Sequence, residues 1–154
     1  MDFFELKTPG IIAGYAHQPD PSVPAKKGAL IQLSASSEAA AASPLLAELA
    51  KELLLQIVGF SPKYLNRDEV PAADIAKEKE IHTEILKKEG KPEAQIAKIV
   101  EGKINKLFYQ QWVLLDQVSV RDNKTVVNEI IKSTGAKLCG EVKIVRFVRY
   151  QLGE

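Results

Sequence analysis

Two amphipathic stretches meet at Glu89-Gly90-Lys91-Pro92-Glu93, and this junction restricts the fold more than any other feature of the chain. Before it, Ile75, His82 and Leu86 lie along one helical stripe, with Ile81 and Ile85 beside it. After it, Ile96, Ile99, Val100, Ile104, Leu107 and Phe108 form a second stripe. Glu84 and Lys88 can pair at i,i+4, and Lys87 and Lys88 sit where the negative end of a helix dipole favours cations. Gly90 is placed as the left-handed residue just past a helix end, and Pro92 and Glu93 suit the start of the next helix. So short a connection predicts an antiparallel helical hairpin over residues 72–111. Its narrow apolar stripes and wide lysine- and glutamate-rich faces predict a projecting, solvated arm inserted in a single domain, 1–154.

The flanking segments have other periods. Residues 10–17 place Ile11, Ala13, Tyr15 and His17 on one face if extended, and residues 28–34 do the same for Ala29, Ile31 and Leu33, with Leu30 and Gln32 opposite. Between them Pro19, Pro21 and Pro24 rule out more ladder, which predicts a β-hairpin with a loop over residues 18–27. Residues 34–43 are small and alanine-rich, helical or a connector. Ser43-Pro44 reads as an N-cap and first helical residue, followed by Leu46, Leu49, Ala50, Leu53, Leu54 and Ile57 at helical spacing. Gly59 and Pro62 are expected to end that helix. Trp112 to Leu115 is an apolar run, and Asp122 to Lys124 a turn. Val126, Val127, Ile130 and Ile131 predict a short helix ending before Gly135. In the β-rich tail, Val142, Ile144, Arg146, Val148, Tyr150 and Leu152 would share one face, with Val145 and Phe147 opposite. The expected class is α+β: a three-stranded antiparallel sheet packed with helices, plus the hairpin.

Composition narrows the function classes. The 21 basic and 20 acidic residues leave a net charge of +1, which offers no whole-chain attraction for nucleic acid or an anionic membrane. No apolar run approaches the ~20 residues needed to cross a bilayer. The start, Met1-Asp2-Phe3-Phe4, lacks the basic region and apolar core of a secretory signal. Cys139 is the single cysteine and sits in no nucleophile motif; one cysteine excludes an internal disulfide and a thiolate zinc cluster. His17 and His82 fall on different elements, so a two-histidine metal site has little support. His82, on an apolar stripe, reads as packing. Lys143, Arg146 and Arg149 could line up as a basic strip, but solvated charge is the simpler reading. No nucleophile–base pair or glycine-rich phosphate loop is visible, and neither an enzyme nor a cofactor is expected.

Several segments, in order along nearly the whole chain, resemble the translation elongation factor Ts family. Ser61-Pro62-Lys63-Tyr64-Leu65 and Arg67-Asp68-Glu69-Val70-Pro71 look like the passage after its core helix. Lys77 to Ile81, Glu89 to Glu93 and Lys98 to Lys106 are similar to its coiled-coil hairpin. Leu114-Leu115-Asp116-Gln117 and Lys124-Thr125-Val126 match its return to the core, and Val145 to Gly153 its closing strand. Gly14-Tyr15-Ala16-His17 with Gly28-Ala29-Leu30-Ile31 resembles its Tyr-x-His hairpin.

The resemblance implies a protein that binds elongation factor Tu and promotes GDP release in the cytoplasm, or in an organelle matrix if a targeting peptide was removed. Long members carry two hairpin–helix repeats, and the first bears a Thr-Asp-Phe-Val motif acting at the nucleotide site. Here the equivalent stretch reads Ser36-Ser37-Glu38-Ala39-Ala40. The expectation is therefore a second repeat with hairpin and closing strand, the anchoring half, without the first repeat or the N-terminal domain. His17, with Tyr15 near it, and Lys27 are the expected partner-binding set, a solvated loop being the plainer reading for Lys26 and Lys27. The alternative is a homodimerising structural domain without exchange activity. An RNA-binding module would ask for basic clustering that the charge does not supply.

Overall fold

The computed structural model describes residues 4–153. By its internal contacts the chain groups into two compact units: residues 1–61 with 118–154, and residues 62–117.

In the first unit, β1 (Gly10–His17), β2 (Lys27–Ala35) and β3 (Val142–Gln151) form an antiparallel sheet in the order β1-β2-β3. The α+β class expected from the sequence is what the chain adopts. The cross-strand rows Ile11–Leu33–Ile144, Ala13–Ile31–Phe147, Tyr15–Ala29–Arg149 and His17–Lys27–Gln151 define one face. Ile31 and Leu33 are fully buried at its centre. β3 departs from the expected alternation. The register jumps from Leu33↔Ile144 to Gln32↔Arg146, leaving Val145 as an extra residue. Such a bulge inverts the side-chain phase beyond it. Val142 and Ile144 therefore share the buried face with Phe147 and Arg149, whereas Arg146, Val148 and Tyr150 face the other way. The expected basic strip does not form: Lys143 and Arg146 fall on one face and Arg149 on the other. Lys143 reaches Glu141 at 3.2 Å, Arg146 stacks over the Phe4 ring at 5.0 Å, and Arg149 donates to Gln151 at 3.0 Å.

Helix α1 (Glu38–Ala41) is capped by Ser37, whose hydroxyl accepts from the Ala40 N–H. Helix α2 (Pro44–Phe60) starts as expected, with the Ser43 hydroxyl accepting from the Leu45 N–H and proline at N1. It runs through Gly59 and stops at Ser61, which adopts a left-handed φ of 50° before Pro62. Its Leu46, Leu49, Ala50, Leu53, Leu54 and Ile57 are buried, as the spacing predicts.

The second unit begins with a clasp. The N–H groups of Lys63 and Tyr64 donate to the Trp112 carbonyl, and Leu114 and Leu115 donate back to Tyr64 and Leu65. Asn66 caps a 3-10 turn at Arg67–Glu69, and the Glu69 carboxylate accepts from the Leu65 N–H. Helices α3 (Ala72–Lys88) and α4 (Glu93–Lys103) follow. The turn between them is the one the sequence announces. Gly90 has φ 73°, its N–H donates to Lys87 and that of Lys91 to Leu86, the paired bonds of a Schellman end.

The second helix is less regular than expected, because Ile104–Tyr109 winds as a π-helix before α5 (Gln110–Trp112). Ile96, Val100, Ile104 and Phe108 recur every four residues. In an α-helix each such step overshoots a turn by about 40°. The wider π turn takes up that drift. Ile104 stays buried with Leu86, Ile96 and Val100, and Phe108 and Tyr109 pack against them. Leu107, expected in the stripe, is instead 53% exposed. Arg67 pins the segment. Its guanidinium donates to Asp116 at 2.7–3.1 Å and to Asn105 at 3.1 Å, and lies 4.4 Å from the Tyr109 ring centroid. Its bonds to Asp116 hold its pKa above the ordinary arginine value.

Helix α6 (Val127–Lys137), back in the first unit, carries Gly135 inside it and not after it. A Cβ at Gly135 would lie 2.7 Å from the Gly140 carbonyl, so glycine there serves close backbone approach. The helix ends at Leu138. Cys139 takes the left-handed position (φ 53°), with Cys139 N–H to Ala136 and Gly140 N–H to Gly135.

Candidate functional site

The Pro-rich connection after β1 is tied by its own side chains. The Gln18 amide donates to the carbonyls of Pro21 and Val23, and Asp20 accepts from the N–H and hydroxyl of Ser22. Those two bonds hold the Asp20 pKa below the ordinary carboxylate value. At the far side of the loop the Leu152 N–H donates to the Lys26 carbonyl, which ties the loop to the end of β3.

This places the loop end of the hairpin on the helix-facing side of the sheet. His17 and Lys27 face each other across β1 and β2, and Tyr15 sits one row in, opposite Ala29. The Tyr15 hydroxyl and His17 Nδ1 are 3.1 Å apart and share a hydrogen bond, in which the phenol donates when the imidazole proton is on Nε2. In that tautomer Nε2–H remains a donor. All three residues expected from the sequence line one cleft of the first unit. Lys26 is not in its lining.

Its other walls were not legible in advance. One face of α2 contributes Leu45, Glu48, Leu49, Glu52 and Leu55, and α6 contributes Ile130, Ser133, Thr134 and Lys137. Leu45, Leu55 and Val120 are exposed apolar side chains of this lining. Val120, Arg121 and Thr125 come from the loop over residues 118–126, which the sequence marks only as a turn. Gln56 holds that loop. Buried to 2% exposure, its amide donates to the Val118 carbonyl at 3.1 Å and accepts from the Val120 N–H at 2.7 Å. The loop's Asp122 accepts from Lys124 N–H, Thr125 N–H and the Thr125 hydroxyl, bonds that pull its pKa down to about 2. A glutamine at one position of an apolar helix face was the available signal for such a buried anchor.

The sequence pattern of the family described as Elongation factor TS matches residues 2–154. The chain belongs to the elongation factor Ts family. It is 40% identical over 145 residues to the elongation factor Ts of Myxococcus xanthus, covering 94% of this chain and 64% of that protein. It is 37% identical to that of Thermosipho melanesiensis, covering 94% and 71%, and 36% identical to that of Salinispora tropica, covering 96% and 50%. The chain thus spans from half to somewhat over two thirds of these curated relatives.

No described helix of the chain is long and apolar enough to cross a membrane. Among the described residues no group of three or more His, Cys, Asp or Glu is placed to hold a metal ion. His17 lies on β1 and His82 on α3, whose Nε2 is 3.9 Å from Glu78 and whose Nδ1 is buried without a hydrogen-bond partner.

Proposed function

We propose that this chain anchors on elongation factor Tu, docking through the cleft lined by Tyr15, His17 and Lys27. The observation that carries the reading is the convergence of these three side chains on one open cleft, in a chain of the elongation factor Ts family. The lining suits a protein surface. Leu45, Leu55 and Val120 expose apolar area among charged groups, the mixture typical of a docking face with a polar rim. Histidine, whose ring nitrogens can donate or accept, offers a directional contact at its edge.

Exchange by this route is linkage and not bond chemistry. A partner that binds the nucleotide-poor state of a GTPase more tightly than the GDP-bound state shifts the equilibrium toward release. No covalent or proton-transfer step is asked of the chain, and no cofactor, nucleic acid or membrane enters the reading. The compartment is that of protein synthesis, cytoplasm or organelle matrix. The stretch equivalent to Thr-Asp-Phe-Val is the short, Ser37-capped α1, with Ala40 buried. Nothing in it offers an apolar wedge to a nucleotide site. This supports the anchoring role over full exchange activity.

The test is titration of the chain into elongation factor Tu loaded with fluorescent GDP, following complex formation and GDP release together. Binding without marked acceleration is expected, with His17→Ala weakening it about tenfold. Strong acceleration by the isolated chain would overturn the anchoring assignment.

A second reading, a homodimer through the sheet, is favoured by one observation. The outward face leaves Ile12, Val145 and Tyr150 exposed. Light scattering behind size-exclusion chromatography decides it.

A further inference from the structure

We infer that the loop over residues 118–126 is a second contact surface on this cleft, built to receive a partner face that carries a carboxylate beside an apolar side chain. The inference rests on the docking reading above.

The loop is held from within. Ser119 N–H donates to the Thr125 carbonyl, Val120 N–H to Gln56, Arg121 N–H to the Ser119 hydroxyl oxygen and Asn123 N–H to the Ser119 carbonyl. Asp122 takes the N–H groups of Lys124 and Thr125. Asn123 accepts a left-handed φ of 54° to close the turn. A connection needs few such bonds to be solvated at a surface. This one has six of its backbone N–H groups bonded, so less ordering entropy remains to be lost when it docks.

What it presents is selective. Val120 is 38% exposed, and the Arg121 side chain is 81% exposed. The loop's one anion, Asp122, caps its own turn, and Glu52 on α2 accepts from the Ser119 hydroxyl and pairs with Arg121 at 3.8 Å. Arg121 stays exposed despite its pairing with Glu52, and Lys124 is exposed beside it. Arg121 reaches solvent beside Val120, which calls for an anion next to an apolar group. A nucleic-acid backbone fits less well. Glu48 and Glu129 line the same cleft, and Leu45 and Leu55 would be left against a polyanion.

The experiment compares the whole chain with Arg121→Glu, Val120→Ala and His17→Ala in titrations with elongation factor Tu at low and high salt. Thermal melts check that each variant folds; Arg121, being exposed, is expected to leave the melt unchanged. Arg121→Glu is expected to weaken binding about tenfold or more at low salt, with the gap narrowing as salt screens it. Val120→Ala is expected to weaken it a few-fold, independently of salt. If His17→Ala weakens binding and Arg121→Glu does not, the loop contact is wrong and the docking reading stands. If the unsubstituted chain does not bind at micromolar concentrations, both fall. If the chain instead binds duplex RNA in a manner lost in Arg121→Glu, the assignment to an acidic protein face is overturned.

Discussion

The two compact units hold themselves together by different means. In the first, the buried face of β2, the inner face of α2 and Val127 and Ile131 of α6 form a broad apolar core in which Ile31, Leu33, Leu46 and Ile57 are fully enclosed. In the second, the hairpin has a thin seam of Leu86, Ile96, Val100 and Ile104, and depends on polar pins at its base: the Asn66 cap, the Arg67–Asp116 pair and the cation–π contacts of Lys63 with Trp112 and Arg67 with Tyr109. A broad core gives stability that depends little on any one polar contact. A thin seam makes local geometry, including a π turn, depend on a few directional interactions.

Truncation is the sharpest way to break this contrast. Leu53→Ala, in the first core, is expected to cost about 3 kcal/mol and to lower the global unfolding midpoint in denaturant. Val100→Ala is expected to cost about 2 kcal/mol and to raise hydrogen exchange chiefly in residues 72–109. Equal loss of protection across both units in the second variant would show that they unfold as one.

His82→Leu tests the seam from the other side. A buried ring nitrogen without a partner costs roughly 1 kcal/mol or more, and an apolar side chain of similar reach removes that cost. Slower hydrogen exchange in α3 and the following helix is expected; faster exchange would mean the imidazole has a role in the hairpin that the contact geometry does not explain.

Cys139→Gly probes the first unit's backbone. A left-handed residue with a Cβ is strained, and glycine is the usual occupant of this helix-end position. A gain of about 0.5 kcal/mol in denaturant unfolding is expected, the relief being partly offset by glycine's larger unfolded-state entropy.

The smallest effect is electrostatic. Because Asp122 titrates at about 2 in the folded chain, below the ordinary value of 3.8, its bonds stabilise the turn above pH 3.8 and lose that contribution as pH falls toward 2. The carboxyl NMR resonance should move with that midpoint. In Asp122→Ala the exchange protection of the Lys124 and Thr125 amides should fall at neutral pH.

Much of this was legible in the residues. The proline-bracketed hairpin, the Ser43-Pro44 start, the Gly90 turn and the convergence of Tyr15, His17 and Lys27 on one end of two paired strands all follow from local chemistry: fixed φ, a capping hydroxyl, a left-handed glycine and a period of two. These act over a few positions, so a few positions announce them. The rest required distant partners. The bulge at Val145 exists only in the register of β3 against β2. The π turn at Ile104–Tyr109 answers a seam on α3 and the guanidinium of Arg67, 38 positions before the Asn105 it bonds. Gly135 is in mid-helix because Gly140 returns beside it, and the cleft's third wall stands where it does because Gln56 bonds a loop more than 60 residues downstream. Periodicity determined which elements form and which faces they bury. Contacts between segments far apart in the chain decided their phase, their irregularities and the walls of the site, since only the folded chain brings those groups within bonding distance.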